Sequence, residues 1–477
     1  MRHYPIGSSF IHVLGYVGRI NTQELADIDS TNYMASNYIG KLGIEKYYED
    51  ELHGTVGYEQ VENDVSGEPI RVMNRIKPIP GENLYLTIDS KLQLAVEQIL
   101  EGHRGSVVII QPTTGQILAM VSTPTYDPNI FVAGISTQDF KALQQSPTKP
   151  LYNRALRGLY PFASTIKPYI ALQGLNTGVA DTNFTLFDPG WYQLKNSSHI
   201  FHDWRKHGHG VVNLPKAIAS SCDTYFFDLA FKLGIQRIDE ILTQFGFGQP
   251  SGVDLSEELP GVVASPEWKR RVKGTAWYPG DTLISGIGQG SMQTTPLQLA
   301  VGVATIANRG QRYTPYLLLA EQEPGKPSHT QPPHQASKIE LEDNKYWDIV
   351  VNAMHDVTSS AEGTAFRYFK DSPYTVAAKT GTAQLYTRKH VTNESDHEDQ
   401  SKIAEQFRDH SLMEAFAPID KPQIAVAVVM ENSSLAASVV RKILDYYLIG
   451  PQTLQATSSL SDNTSAEEAE EEPDDIH

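Results

Sequence analysis

The chain has 477 residues, 40% of them hydrophobic and 20% charged, with a net charge of −17. That length gives material for roughly three globular units, and that composition excludes a wholly disordered acidic polymer. The acidic balance excludes a general attraction to nucleic acid, which needs a basic surface, and the single cysteine, Cys222, excludes an intrachain disulfide.

Residues 1–80 are rich in glycine, tyrosine and charge, with β-like pieces such as Glu68-Pro-Ile-Arg-Val-Met73. The first residues, Met1-Arg-His-Tyr-Pro-Ile-Gly7, carry no apolar signal-peptide core. No apolar run approaches the ~20 residues needed to span a bilayer. The chain is therefore expected to be soluble, or to have its anchor before Met1.

The body, 81–450, opens with a predicted strand at Leu84-Tyr-Leu-Thr-Ile-Asp89. An amphipathic helix follows over 91–100, apolar at Leu92, Val96, Ile99 and Leu100. Ser106–Ile110 and Gln116–Ser122 flank the turn Pro112-Thr-Thr-Gly115 and read as a hairpin. About 200 residues of mostly helical pattern come next. Strands are predicted again at 374–378, 412–417 and 423–431, then a closing helix over 434–447. The strands at the two ends of the body predict an α+β fold: one antiparallel sheet of about five strands, covered by helices, with an inserted helical subdomain. Glu321–Lys338, with four prolines, reads as mobile surface, and Thr387–His410 as a long charged connection of the lid or binding-loop kind. The end of the chain, 451–477, holds eight acidic residues and no Lys or Arg after Ala456, and reads as disordered.

Three short motifs carry chemistry. Ser164-Thr-Ile-Lys167 places a hydroxyl and an amine at i and i+3, on one face of a helix. A serine hydroxyl is a weak nucleophile and needs a neighbouring base; a lysine whose proton affinity is lowered can serve. Ser221-Cys-Asp223 offers a second hydroxyl beside a carboxylate, suited to relaying a proton. Lys379-Thr-Gly-Thr-Ala383 follows a predicted strand: the lysine supplies positive charge, Thr380 can bond a carboxylate, and Gly381 lets a ligand lie close. Each motif alone is weak. In this order the set S-x-x-K, S-D-N and K-T-G is shared by penicillin-binding proteins and class A β-lactamases.

On these motifs the chain resembles the class B penicillin-binding proteins, most closely the elongation branch typified by penicillin-binding protein 2. Gly40-Lys-Leu-Gly-Ile-Glu-Lys-Tyr-Tyr-Glu-Asp-Glu-Leu-His-Gly54 is similar to the N-terminal pedestal signature of that family. Gly81–Asp89, Thr114–Ser122 with Tyr126-Asp-Pro-Asn129, Gly280-Asp-Thr282 and Gly286-Ile-Gly-Gln-Gly290 look like segments of its transpeptidase body. The resemblance implies the penicillin-binding transpeptidase fold, with a truncated pedestal at 1–80, the transpeptidase domain at 81–450 and an acidic tail at 451–477. It implies that Ser164 is acylated with Lys167 as base, that Ser221 and Asp223 fill the second motif, and that Lys379, Thr380 and Gly381 fill the third. The backbone N–H groups of Ser164 and Thr382 would form the oxyanion hole. Asp223 departs from the Asn usual at that position. The implied substrates are peptidoglycan stem peptides, with β-lactams acylating the same serine. The implied partners are a membrane-embedded elongation glycosyltransferase and scaffold proteins of the elongation complex. The implied place is the periplasmic face of the inner membrane, anchored by a single helix absent from this chain. Hydrolysis by a carboxypeptidase or β-lactamase is the alternative enzymatic reading, and a β-lactam sensor or scaffold the non-enzymatic one.

A metal site is also readable. His199, His202, His207 and His209 fall within eleven residues, between Asp188 and Cys222. One cysteine, histidines and aspartates can make a tetrahedral zinc site; a polar surface loop is the alternative. Members of the elongation branch include some with a structural zinc beside the second motif. By that resemblance the ligands would be Asp188, Asp203, His209 and Cys222, with His202 and His207 as rivals.

Overall fold

The computed structural model describes residues 2–34, 36–384 and 404–454. The predicted hairpin forms as β1 (Gly105–Ile110) and β2 (Ile117–Thr123), after helix α1 (Ser90–Ile99). Asp89 caps α1 by accepting from the backbone N–H groups of Lys91 and Leu92. Helices α2 (Lys167–Asn176), α3 (Asp223–Leu233), α4 (Pro296–Ala307) and α5 (Lys345–Ser359) follow. The chain then returns to the sheet through β3 (Ala377–Ala383), β4 (His410–Ala417) and β5 (Ile424–Met430), and closes with α6 (Ala436–Leu448).

The two ends of the body make one five-stranded antiparallel sheet in the order β3-β4-β5-β1-β2. Every residue of β1 and β5 is buried. Antiparallel strands usually alternate apolar and polar; these do not, because both faces are covered. Helices α1 and α6 pack together on one face, and α4 lies against β1, β4 and β5. Each Val or Ile so buried contributes about 1.5–3 kcal/mol of transfer free energy, so this sheet lies at the centre of the hydrophobic core. β3 is an edge strand and keeps one backbone side unpaired within the sheet.

Three expectations are corrected. The strand placed at Tyr374–Ala378 starts at Ala377 and runs to Ala383, so the whole Lys379–Ala383 motif is strand. The Val376 carbonyl is taken by Thr358 Oγ1 at 2.7 Å, which ties this stretch to α5 and delays the ladder. The insertion is not mainly helical throughout: Leu186–Asp188 pairs with Gly210–Val212, and Trp191–Gln193 with Ile200–His202. Glu321–Lys338 is partly ordered by pairing, with Leu318–Gln322 against both His329–Thr330 and Asn83–Leu86, and Gln335–Lys338 against Gln311–Tyr313. Of the charged connection 387–410, residues up to 403 lie outside the described residues, as does 455–477 of the acidic tail.

The N-terminal zone packs on the body. Tyr4 and Val17 bury against Val132, and Ile11 against Tyr126 and Phe131. Tyr48 Oη donates to Asp254 at 2.8 Å, and the Gly43 N–H to Glu257 at 2.7 Å. From this zone projects a ribbon, Tyr58–Asn63 paired with Pro69–Ile76, exposed along its whole length. Among the described residues no helix is long and apolar enough to cross a membrane.

Candidate active site

Ser164 lies in a single 3₁₀ turn, Ala163–Ile166, that runs directly into α2 at Lys167. The turn is fixed from two sides. The Ala163 N–H donates to the Gly288 carbonyl at 2.9 Å, and a Cβ on Gly288 would fall 2.2 Å from the Ala163 carbonyl oxygen. A Cβ on Gly381 of β3 would stand 3.2 Å from both Ala163 Cβ and Thr165 Cγ2. Glycine in the third motif and in Gly286–Gly290 is therefore what lets the edge strand close on the serine turn. Ala163 has φ +49 and Ser221 φ +59, both in the left-handed region that L side chains seldom adopt. Such backbone costs on the order of 1–3 kcal/mol per residue and gathers at functional sites.

Lys167 is completely buried. Its Nζ donates to the Ser221 carbonyl at 2.6 Å, to Ser221 Oγ at 3.3 Å and to Asp223 Oδ1 at 2.7 Å. Asp223 thus gives Lys167 an ion pair where an amide would give only a hydrogen bond. Lys379, equally buried, donates from Nζ to Ser221 Oγ at 2.9 Å and to the Thr380 carbonyl at 3.1 Å. Burial, and then the charge of Lys167, push the Lys379 ammonium well below its ordinary pKa. The hydroxyl of Ser221 therefore accepts from two lysines, which leaves its own proton free to donate.

Two further contacts lie along β3. Thr380 Oγ1 lies 2.6 Å from Thr364 Oγ1, and Gln289 Nε2 donates to the Thr382 carbonyl at 3.0 Å. Thr382 is exposed. Thr364 and Gln289 are not predicted from the sequence: Gln289 sits inside Gly286–Gly290, and Thr364 has no local signal.

The second cluster lies directly behind Ser221. Asp188, Asp203, His209 and Cys222 are buried, and their ligand-type atoms all fall within 4.8 Å of one another. Asp188 Oδ2 lies 2.7 Å from His209 Nδ1 and 3.4 Å from Cys222 Sγ, and Asp203 Oδ1 is 3.5 Å from His209 Nδ1. The remaining oxygens are occupied: Asp188 Oδ1 accepts from the Gly190 N–H at 2.7 Å, and Asp203 Oδ2 from the Thr224 N–H at 2.9 Å. Cys222 is the N-cap of α3, its Sγ accepting from the Tyr225 N–H at 3.5 Å. His202 and His207 are exposed and outside the cluster. Trp204 bridges the two clusters: its Nε1 donates to the carbonyls of Ser220 at 3.2 Å and Ser221 at 3.1 Å.

Residues 105–445 match the penicillin-binding protein transpeptidase domain, and residues 1–86 the penicillin-binding protein dimerisation domain. The chain belongs to the class B penicillin-binding proteins. It is 44% identical over 456 residues to the peptidoglycan D,D-transpeptidase MrdA of Escherichia coli K12, covering 94% of this chain and 71% of that one. Penicillin-binding protein 3 of Bacillus subtilis is 31% identical over 81% of this chain and 55% of its own. Among solved structures, PBP2 of Pseudomonas aeruginosa in complex with WCK 5153 is 46% identical, with a TM-score of 0.82 over 95% of this chain and 91% of that one. PBP2 of Helicobacter pylori in complex with MreC is 31% identical, with a TM-score of 0.82 over 94% of this chain and 79% of that one. The fold is the penicillin-binding transpeptidase fold with a dimerisation, or pedestal, domain, and the activity is peptidoglycan D,D-transpeptidation, which needs no cofactor for its chemistry.

Proposed function

We propose that this penicillin-binding protein cross-links stem peptides through an acyl-enzyme on Ser164. Ser164 Oγ attacks the carbonyl of the penultimate D-Ala, and the Lys167 amine, once neutral, takes the hydroxyl proton. The N–H groups of Ser164 and Thr382 hold the developing oxyanion. The carbon–nitrogen bond breaks, and the nitrogen of the terminal D-Ala takes a proton from Ser221, which regains one from the lysine side. The amine of a neighbouring stem peptide then attacks the ester, and its surplus proton returns to Ser164. Lys379 and Thr380 hold the substrate carboxylate, and the open edge of β3 receives the extended peptide as an added strand. A β-lactam enters by the same first step. The observation that carries this reading is that Ser221 Oγ is gripped by both lysines, 3.3 and 2.9 Å away, beside the Ser164 turn.

We assign 1–80 to the pedestal and 81–450 to the catalytic body. The exposed ribbon 58–76 is the surface offered to elongation-complex scaffold proteins and the membrane glycosyltransferase; the Helicobacter pylori relative is in complex with MreC. The reaction takes place at the periplasmic face of the inner membrane, where stem peptides are presented.

The buried cluster fits a structural zinc. Two carboxylates, an imidazole and a thiol lie together without an open side, and burial, followed by the charge of Asp223, raises the Asp203 pKa above the usual carboxylate range. A cation reverses that penalty. Asp188, Asp203, His209 and Cys222 would hold the ion, which would fasten the segment carrying Ser221 and take no part in acyl transfer.

Covalent labelling with a fluorescent penicillin tests the nucleophile. Ser164→Ala should abolish labelling while the thermal melt stays nearly unchanged. An adduct on another residue, found by intact-mass and peptide analysis, would overturn the assignment.

A further inference from the structure

One buried carboxylate is unused by the reaction above. Glu414 lies in the middle of β4, fully buried in an otherwise apolar stretch, Leu412-Met-Glu-Ala-Phe-Ala417. In the ladder it stands directly opposite Lys379. Directly opposed residues of an antiparallel pair share a face, with Cβ atoms about 4.5–5.5 Å apart. One oxygen, Oε2, accepts from Tyr169 Oη of α2 at 2.7 Å; the other, Oε1, has no hydrogen-bond partner among the described residues.

The surroundings of the pair are built. Tyr169 is two residues beyond Lys167, and its ring packs edge-on against Phe245 at 4.7 Å and Phe247 at 5.1 Å between centroids. Gly302 of α4 leaves room for the hydroxyl, since a Cβ there would fall 2.6 Å from Tyr169 Oη. Among the described residues no other ionisable side chain faces Glu414. Across β5 its partner is Ala427, helix α4 has none along its length, and the turn Ala163–Ile166 has none. The opposite face of β4 belongs to α6, where Ser411 Oγ accepts from the Ala436 N–H. The charged neighbours of Glu414 are thus Lys379 and, through Lys379, Lys167 and Asp223.

We propose that Glu414 is a positioning residue of the transpeptidase reaction, a proton store that keeps Lys379 charged as the pH rises. The proposal rests on the role given to Lys379 above. A buried lysine beside another lysine loses its proton easily. With Glu414 across the ladder, the pair can lose its first proton from the carboxyl group, leaving an ionised Glu414 that holds Lys379 as ammonium. Burial raises Glu414 to about pKa 8, against the opposing pull of the Tyr169 hydrogen bond and the Lys379 charge, so this proton is lost in the range where the site must keep its cation. In Glu414→Gln only Lys379 can give the proton up.

The experiment is the pH profile of acylation by a carboxylate-bearing penicillin, from pH 6 to 10, on wild type, Glu414→Gln and Tyr169→Phe. In Glu414→Gln the alkaline limb should move down by about one pH unit or more, the size of shift produced by removing an opposite charge at close range. Tyr169→Phe should give a smaller move in the same direction, because Glu414 then ionises at higher pH. A melt confirms folding, and Tyr169→Phe reads the proposal if Glu414→Gln does not fold. An alkaline limb unchanged in Glu414→Gln, or moved upward, overturns it; so does an unchanged limb in Tyr169→Phe if that variant alone folds. Failure of the parent reading is separable: it would leave acylation by the carboxylate-bearing penicillin undiminished in Lys379→Met at every pH, whatever the profile of Glu414→Gln.

Discussion

Two polar clusters share the three residues 221–223 and follow opposite charge logic. On one side Ser221 and Asp223 face two buried lysines, and the short contacts run from cation to oxygen. On the other, Cys222 faces two aspartates and a histidine, and the groups are those that want a cation. Backbone geometry separates them: Ser221 is left-handed at φ +59, and Cys222 returns to φ −59 to cap α3. On the proposed reading, the difference teaches that this segment would be held from behind by one chemistry so that it can perform another in front. The second cluster should therefore control stability, and the first should control rate.

Lys167→Arg breaks the comparison on the reactive side, with the largest expected effect on the contrast between the two clusters. The charge stays, so the contact with Asp223 can persist, but a guanidinium does not become a base. Acylation by a labelled penicillin should fall by about 100-fold or more, the least that a general base contributes. The melting temperature should move little. Rapid-mixing kinetics that retain more than about a tenth of the wild-type rate would assign the base to another group.

Cys222→Ser tests the other side. Binding free energy at a closed metal site adds directly to folding stability. The variant should melt several degrees lower and acylate more slowly by about tenfold, since loss of such a support costs on the order of 10–100-fold in affinity or activity. Wild-type protein should contain about one equivalent of zinc by elemental analysis, and a chelator should lower its melt but not that of the variant. Equal zinc content in both proteins would remove the sulfur from the ligand set.

How much of this was legible follows from where each signal lies in the chain. The sheet was readable because its strands carry unbroken apolar runs, such as Ile424–Met430, bounded by turn residues. The three motifs were readable because chemistry restricts residue type at fixed spacing. The exact start of β3 was not, because it is decided by Thr358 reaching across from α5 to Val376, a tertiary contact. His209 could not be told from His202 or His207 by spacing alone. The fold decides it, by pairing Leu186–Asp188 with Gly210–Val212 so that His209 turns inward beside Asp188. Glu414 was the missed signal that sequence could have given: a lone carboxylate inside an apolar strand needs a partner on its own face.

Trp204 joins the two clusters, and Trp204→Phe gives the smallest and most discriminating effect. The indole N–H reaches the carbonyls of Ser220 and Ser221, and the Ser221 carbonyl is the same acceptor that Lys167 uses at 2.6 Å. Half of the residue's surface is open to solvent, which limits the hydrophobic free energy at stake. Losing one shared hydrogen bond costs about 0.5–1.5 kcal/mol, because water can replace part of it. Phenylalanine keeps the edge-on contact with His209, whose ring centroid lies 5.3 Å away, so zinc content should be unchanged. Acylation should fall only a few-fold, as the Ser221 carbonyl gains freedom while Lys167 still holds it. If acylation drops as far as in Lys167→Arg with zinc content and melt intact, Trp204 is a principal support of the second motif. If zinc is lost, the two clusters are coupled through the indole, and the division of stability from rate fails at this residue.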